Sequence, residues 1–377
     1  MGSQLKLITT IKALENIADQ WRALEQICHL PPTVFQSYDW IKCWSEIYLA
    51  DQSNEHLFVV VGYQSGRLVY VMPLALARKR GVRMLTWLTQ PIGQYGDVLC
   101  DQKVNVEQWT NAALNFIKSQ GQADCLRLRH VRSISNIATY AKIHWHDSKL
   151  NERAPAMDLT RFATEGEYDA RYDADQRRRR RRIRAKLEKS GVVNYQTLTG
   201  NEADENIDLA LSEKVKWLQE RGRYSCAIHS PNHAAFLKAL TALKSASIKP
   251  ITTRLSAGGK PIAWDMGFIY QGTQYQYLTS HVTEFTDLSP GRLAFDLSQR
   301  LALSQGVKTY DLMIPYDPHK ESWSSGSVAV TDFYAPLTAR GAVYSHLYLG
   351  LARPILRKIY KSAPKTILRK LQKVFCY

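Results

Sequence analysis

Asp311, Asp317, His319 and Lys320 follow an apolar run that reads as a strand. Loops at strand ends are where α/β proteins collect functional groups. His319 is the member of the group that titrates near neutrality, so it suits removing a proton from an acceptor. Lys320 suits neutralising an oxyanion or a phosphate, and Tyr316 lies beside them as a substrate contact. A hydrogen-bonded loop with a surface lysine has the same sequence, and both readings stand. Asp97, after Tyr95 and Gly96, is a candidate base or acceptor-orienting carboxylate, or a turn residue capping backbone N–H groups. Asp265 sits in Ile262-Ala263-Trp264-Asp265-Met266-Gly267-Phe268. Buried, it would have a raised pKa suited to a base. Strand alternation instead places it on a solvent face, opposite Trp264 and Met266.

Ser289-Pro290-Gly291-Arg292 opens a helix. Free amides and the positive dipole end attract phosphate there, and Arg292 adds charge. Ser at the N-cap and Pro at the first turn also describe an ordinary capped helix. Lys214 and Trp217, three apart, share a helix face. There Lys214 reaches an acceptor phosphate or simply snorkels over the indole. Tyr275, Tyr277 and Trp264 alternate along strands, as a platform for a sugar ring or as core.

The elements that must position these groups read as two similar series. The first is strand Leu5–Thr10, a helix over 11–28, a helix over 38–49 capped by Ser37, three strands between His56 and Leu88, a helix over 106–120 and strand Asp124–Arg129. The second is a polar helix over 165–189, strand Val192–Leu198, helices over 202–221 and 232–245, three strands between Ile248 and His281, a helix over 289–305 and strands near 308–313 and 328–334. The order predicts two α/β (α+β) domains with mixed central sheets, over 1–160 and 161–335, and a basic helical tail over 336–377.

The net charge of +16 is concentrated in two places. Six consecutive arginines, Arg177–Arg182, point all round a helix. Some must be solvated, while others pair with Asp173, Asp175 or Glu188. Contact with a polyanion is their functional reading: nucleic acid, a nucleotide-sugar or an anionic lipid. Sequence-specific DNA binding is not expected, because no helix-turn-helix or zinc module is visible. The second place is residues 340–377, with nine Lys or Arg and no acid. From Pro364 on, Ile367, Leu371 and Val374 share one face opposite Lys365, Arg369, Lys370 and Lys373, the pattern of a helix lying on an anionic membrane. A helix docked on the body is the plain alternative. No apolar run is long enough to span a bilayer, and no secretion signal is visible. The six cysteines form no Cys-x-x-Cys and no zinc spacing, so no metal is expected. A cytoplasmic location, peripheral on the inner membrane face, is the expectation.

Phe35-Gln36-Ser37-Tyr38-Asp39-Trp40, Leu68–Leu76 with Pro73, Gln94-Tyr95-Gly96-Asp97, Lys214-x-x-Trp217, Leu288-Ser289-Pro290-Gly291, and Tyr310-Asp311 before Tyr316–Lys320 follow one another in a familiar order. In that order the chain resembles the CelD/BcsL-type acetyltransferases of the GNAT superfamily, related to the FemABX transferases. The resemblance implies tandem GNAT-like domains and transfer of an acyl group, acetyl first of all, from acyl-CoA to an amine or hydroxyl. The implied acceptor is a sugar nucleotide or other precursor of cell-envelope polysaccharide or exopolysaccharide. It places the donor at Ser289–Arg292. The acceptor is expected between Asp97 and the group Asp265, Asp311, His319 and Lys320, with Tyr95, Lys214, Trp217, Tyr277 and Tyr316 as contacts. Two alternatives remain: a FemABX-like transferase using aminoacyl-tRNA, and a non-catalytic scaffold on the membrane.

Overall fold

In a computed structural model, residues 2–49, 55–149, 151–245 and 247–362 are described. The basic tail beyond Ser362 therefore lies outside the described residues. The chain forms two compact units. Unit one comprises the described residues up to Arg153 together with those from Val328 to Ser362, and unit two those from Ala154 to Ser327.

The described strands are, in chain order, β1 (Ser3–Ile8), β2 (Glu55–Gln64), β3 (Arg67–Lys79), β4 (Val82–Trp87), β5 (Leu99–Cys100), β6 (Cys125–Arg132), β7 (His146–Asp147), β8 (Glu152–Asp158), β9 (Val193–Leu198), β10 (Ile248–Ala257), β11 (Lys260–Tyr270), β12 (Thr273–His281), β13 (Thr309–Asp311) and β14 (Gly326–Pro336). The hairpins β2–β3, β3–β4, β10–β11 and β11–β12 close through Ser65-Gly66, Arg80-Gly81, Gly258-Gly259 and Gln271-Gly272. Both residues of each pair have positive φ. Such turns match the right-handed twist of the flanking strands and fix their register.

Unit one has the sheet order β1-β2-β3-β4-β6-β14. β4 and β6 are parallel, joined through helix Val106–Gln120. β14 is antiparallel to β6. Unit two has the order β9-β10-β11-β12-β13-β8. β12 and β13 are parallel, joined by helix Pro290–Ser304, and β8 is antiparallel to β13. The two units therefore share one architecture, the tandem mixed α/β arrangement expected from element order. The sixth strand of unit one comes from after unit two in the chain, and that of unit two opens its segment.

Trp87, Trp109, Tyr70, Tyr140 and Trp145 dominate the core of unit one. In unit two, Tyr168, Tyr172, Phe295, Tyr310 and Trp323 form one cluster, and Leu187, Leu255, Ile262 and Leu293 another. The motifs at the start of unit one meet inside it. Gln36 Nε2 donates to the Tyr95 carbonyl at 2.8 Å. Ser37 caps helix Tyr38–Tyr48, as expected. A Cβ on Gly96 would sit 1.9 Å from the Trp87 indole, so only glycine fits there.

The expected helix over 165–189 is two helices, Glu165–Ala170 and Ala174–Glu188, because the Asp173 carboxylate accepts from Gln176 N–H and starts a new one. The stretch 11–28 is likewise divided, into Ile11–Glu15 and Ala18–Gln26. Among the described residues, no helix is long and apolar enough to cross a membrane.

Candidate active site

The site is built where the parallel pair of unit two parts. β12 and β13 are in register from Thr273/Thr309 to Tyr275/Asp311. β13 ends there, while β12 runs on to His281. A bulge in the β11–β12 pairing falls between Met266 and Gly267 and leaves Tyr277 as the extra residue. Bulges bend and twist a strand locally. Gly267 is required beside it, since a Cβ there would lie 2.3 Å from the Tyr275 carbonyl oxygen. The ends of such diverging parallel strands form the crevice in which open α/β sheets bind ligands.

Helix Pro290–Ser304 starts at that crevice. Ser289 adopts the left-handed conformation (φ 55°, ψ 46°), and its hydroxyl makes no capping bond. The ordinary Ser-capped start expected as one reading is therefore not what forms, and Pro290 alone follows the usual pattern. Pro290 has no N–H and the Arg292 amide donates to the Ser289 carbonyl at 3.0 Å, so the Gly291 amide and the positive end of the dipole are what the helix start presents to an anion.

Three cationic or basic groups converge on it. Arg292 is partly buried, and its pKa is lowered by desolvation and by the charges of Arg179 and Arg180. His319, half-buried with its ring edge-on to Phe295 and Trp323, is also lowered, by burial and then by Arg292, with Arg179 contributing. Arg179 comes from the arginine run, where Arg178, Arg179, Arg181 and Arg182 are exposed. Arg180 turns inward instead. It pairs with Asp296 and stacks on the rings of Tyr172 and Trp323. Arg177 donates to the Tyr172 carbonyl at 2.6 Å. The expected pairing with Glu188 belongs to Arg184, outside the run.

On the neighbouring side, a Cβ on Gly291 would lie 4.0 Å from His281 Nδ1. His281 terminates β12, and its pKa is lowered by burial and by Lys214 and Arg221. Lys214 Nζ lies 4.8 Å from the Trp217 ring centre, and the guanidinium groups of Arg221 and Arg223 lie 4.3 and 6.0 Å from the same ring. Burial, with Arg221 and Arg223, pushes the Lys214 pKa down to about 8. His281, Arg221 and Arg223 were not singled out from sequence, and Arg179 only as a member of its run; the terminal position of His281 on a strand was the available signal.

This placement of Lys214 has a measurable consequence. The folded chain binds fewer protons than the unfolded chain between about 8 and 10.5. Stability therefore rises with pH across that window, and the burial penalty is complete below about 8. Lys214→Met should raise the unfolding free energy at pH 7 by about 1–3 kcal/mol. The gain should vanish above the ordinary lysine pKa, as chemical denaturation at the two pH values would show.

The remaining candidates lie elsewhere. Asp265 is not on a solvent face: it is buried (4% exposed) in unit two. Its Oδ2 accepts from Gln276 Nε2 at 2.9 Å and Tyr310 Oη at 3.0 Å, and burial raises its pKa. Asp311, fully buried at the end of β13, accepts from Met313 N–H at 2.8 Å. Lys320 donates to the carbonyls of Met313 and Pro315 at 2.9 and 3.0 Å, so its ammonium ties down this loop. Tyr316 donates to Glu321, and Tyr277 packs against Phe268 and His233. Asp97 and Tyr95 belong to unit one and are buried. Asp97 accepts from the N–H groups of Val98, Asn136 and Ile137 and from Asn136 Nδ2, all within 3.2 Å. It fastens its loop to the start of helix Ala138–His144, the capping reading of that residue. Unit one also has a hollow of about 220 Å³, lined by Ser3, Leu5, Gln108, Trp109, Ala112 and Phe116, with no titratable side chain. Among the described residues, no group of three or more His, Cys, Asp or Glu could hold a metal ion.

Residues 174–321 match the family model described as Acetyltransferase (GNAT) domain. Unit two has the GNAT fold. The match takes in Arg179, Lys214, Trp217, His281, Arg292 and His319 of the GNAT unit. No curated protein matches the chain in sequence. The crystal structure of FemX is similar over 92% of this chain and 100% of its own, with a TM-score of 0.57 and 9% identity. The structure of L-PGS from Bacillus licheniformis is similar over 90% and 96%, with a TM-score of 0.52 and 10% identity. A tandem GNAT protein from the clavulanic acid biosynthesis pathway is similar over 89% and 99%, with a TM-score of 0.49 and 12% identity. At these identities the likeness to FemX and to L-PGS is one of fold.

Proposed function

We propose that the GNAT unit transfers an acyl group from an acyl-CoA donor to an amine or hydroxyl. The observation that carries this reading is the start of helix Pro290–Ser304. It is not capped by Ser289, it lies at the end of a parting parallel pair, and Arg179 and Arg292 approach it with His319. Gathering like charges opposes folding unless an anion joins them. A pyrophosphate supplies two adjacent charges that suit the Gly291 amide and both guanidinium groups.

The pantetheine arm then runs from the helix start along β12 into the crevice, carrying the thioester away from His281, which stands beside Gly291 at the phosphate end. His281, kept neutral by burial and its cationic neighbours, is suited to a hydrogen bond with a donor phosphate oxygen. The acceptor lone pair adds to the thioester carbonyl, the C–S bond breaks, and the proton ends on the departing thiolate. Lys214, Arg221 and Arg223 around Trp217 support an acceptor with a flat apolar face and a negative group, as in a sugar nucleotide for envelope polysaccharide. We place the reaction on the cytoplasmic side, where acyl-CoA is held.

Full-length protein titrated with CoA should gain about 2.7 kcal/mol of stability at a hundredfold excess over Kd. Acetyl-CoA with a panel of amino-sugar nucleotides should release free thiol. Failure of CoA to stabilise the protein at millimolar concentration would overturn the reading. A second reading takes aminoacyl-tRNA as donor, drawing on exposed Arg178, Arg181 and Arg182. It is favoured instead if tRNA binds with a steep salt dependence and CoA does not bind.

A further inference from the structure

The helical segment from Ala339 to Ser362 in unit one has one face docked and one face open. On the docked face, Gly341 packs on the backbone of Asp124, where a Cβ would sit 1.7 Å from the carbonyl oxygen. Ser345 and Leu349 are buried. Arg80 lies 4.6 Å from the Tyr348 ring, and Arg353 approaches Asp332 at 3.7 Å. On the open face, Val343, Leu347, Leu351 and Ile355 follow one another four residues apart and are 58–61% exposed, with Leu356 beside them. Large aliphatic side chains in such a continuous stripe mark a surface that is covered in use.

The charge of the same segment says by what. From Ala339 to Ser362 there are five Lys or Arg and no Asp or Glu, and the sequence after Ser362 adds four more Lys or Arg and no acid. A second copy of the chain, seated on this stripe about a twofold axis, would bring like charges together. An anionic lipid surface satisfies both features at once. Aliphatic side chains enter the boundary between headgroups and acyl chains, and the cations meet headgroup phosphates.

We propose that the face carrying Val343, Leu347, Leu351 and Ile355 lies on an anionic bilayer. It holds the protein on the membrane surface without crossing it. The contact is distinct from the acyl-transfer reading and does not require it.

The test uses full-length protein and sedimentation with vesicles of phosphatidylcholine alone or mixed with phosphatidylglycerol. Binding is expected to the mixed vesicles and to weaken with salt. The variant Leu347→Glu/Leu351→Glu changes two exposed residues, so its melting temperature and CoA titration should match the parent protein. Its vesicle binding should fall about tenfold or more. Undiminished binding by that variant would place the contact elsewhere and overturn the proposal. So would no binding of the parent to the mixed vesicles, or a dimer in equilibrium sedimentation that the variant abolishes.

Discussion

Arg292→Glu should weaken CoA binding about a hundredfold or more while leaving the protein folded. Arg292 stands partly buried at the start of helix Pro290–Ser304, with Arg179 and Arg180 as its strongest charged neighbours. Arg180 is matched by Asp296. A glutamate at this position gains from the helix dipole, about 0.3–1 kcal/mol, and from the nearby Arg179. The folded state should therefore keep or slightly raise its melting temperature. The donor fares oppositely. It loses a charge-assisted hydrogen bond worth about 1.5–3 kcal/mol and meets a fixed negative charge in its place. Together these effects amount to about 3–4 kcal/mol, or two to three orders of magnitude in Kd. Calorimetric titration with CoA measures it. Unchanged affinity in a folded Arg292→Glu protein would remove the helix start from the donor site.

Asp97→Ala should give the largest loss of stability, about 3–5 kcal/mol. The carboxylate is 3% exposed and accepts from three backbone N–H groups and one side-chain amide. Each buried donor left unmatched costs about 1–3 kcal/mol, and relaxation recovers part of the sum. Asp97→Asn should fall in the same direction, because its amide would point hydrogens at donors. A catalytic carboxylate predicts the reverse, an intact melting temperature with lost turnover. Burial pushes the Asp97 pKa up to about 6, against the pull of the N–H donors. The folded protein thus holds a proton that the unfolded chain releases near 3.8. Its contribution is fully present below about 4 and declines as pH rises to about 6. Denaturation of the parent and Asp97→Asn across that window should show a pH-dependent difference that levels off above it.

Local signals carried most of the fold. Ser37 announced the cap of helix Tyr38–Tyr48, and the two groups of three strands are closed by turns at Gly66, Gly81 and Gly258-Gly259; each rests on the conformation of one or two residues. Asp173 shows the limit of this reading: it carries both helical charge patterning and capping chemistry, and the latter divides the long polar helix. Tertiary partners were not readable. Arg180 looked like any other arginine of its run until Asp296, 116 residues away, took it inward. Asp265 followed the alternation rule correctly, but the rule does not say that helix Pro290–Ser304 covers that face, where Ser298 and Tyr310 share a 2.7 Å hydrogen bond beside it. His281 was passed over because its one local signal, a place at a strand end, does not reveal the approach of Gly291 and Lys214 that marks it.

The strand β14 joins β6 after the whole of unit two has been traversed. A ribosome therefore delivers every strand of unit two before it delivers the last strand of unit one. Unit two, a single uninterrupted segment, can close as soon as it emerges, and the N-terminal segment must wait with the edge of β6 open. The usual order of synthesis, first made and first folded, is reversed in this chain. A truncation just before Val328 would strand the earlier-made half, not the later.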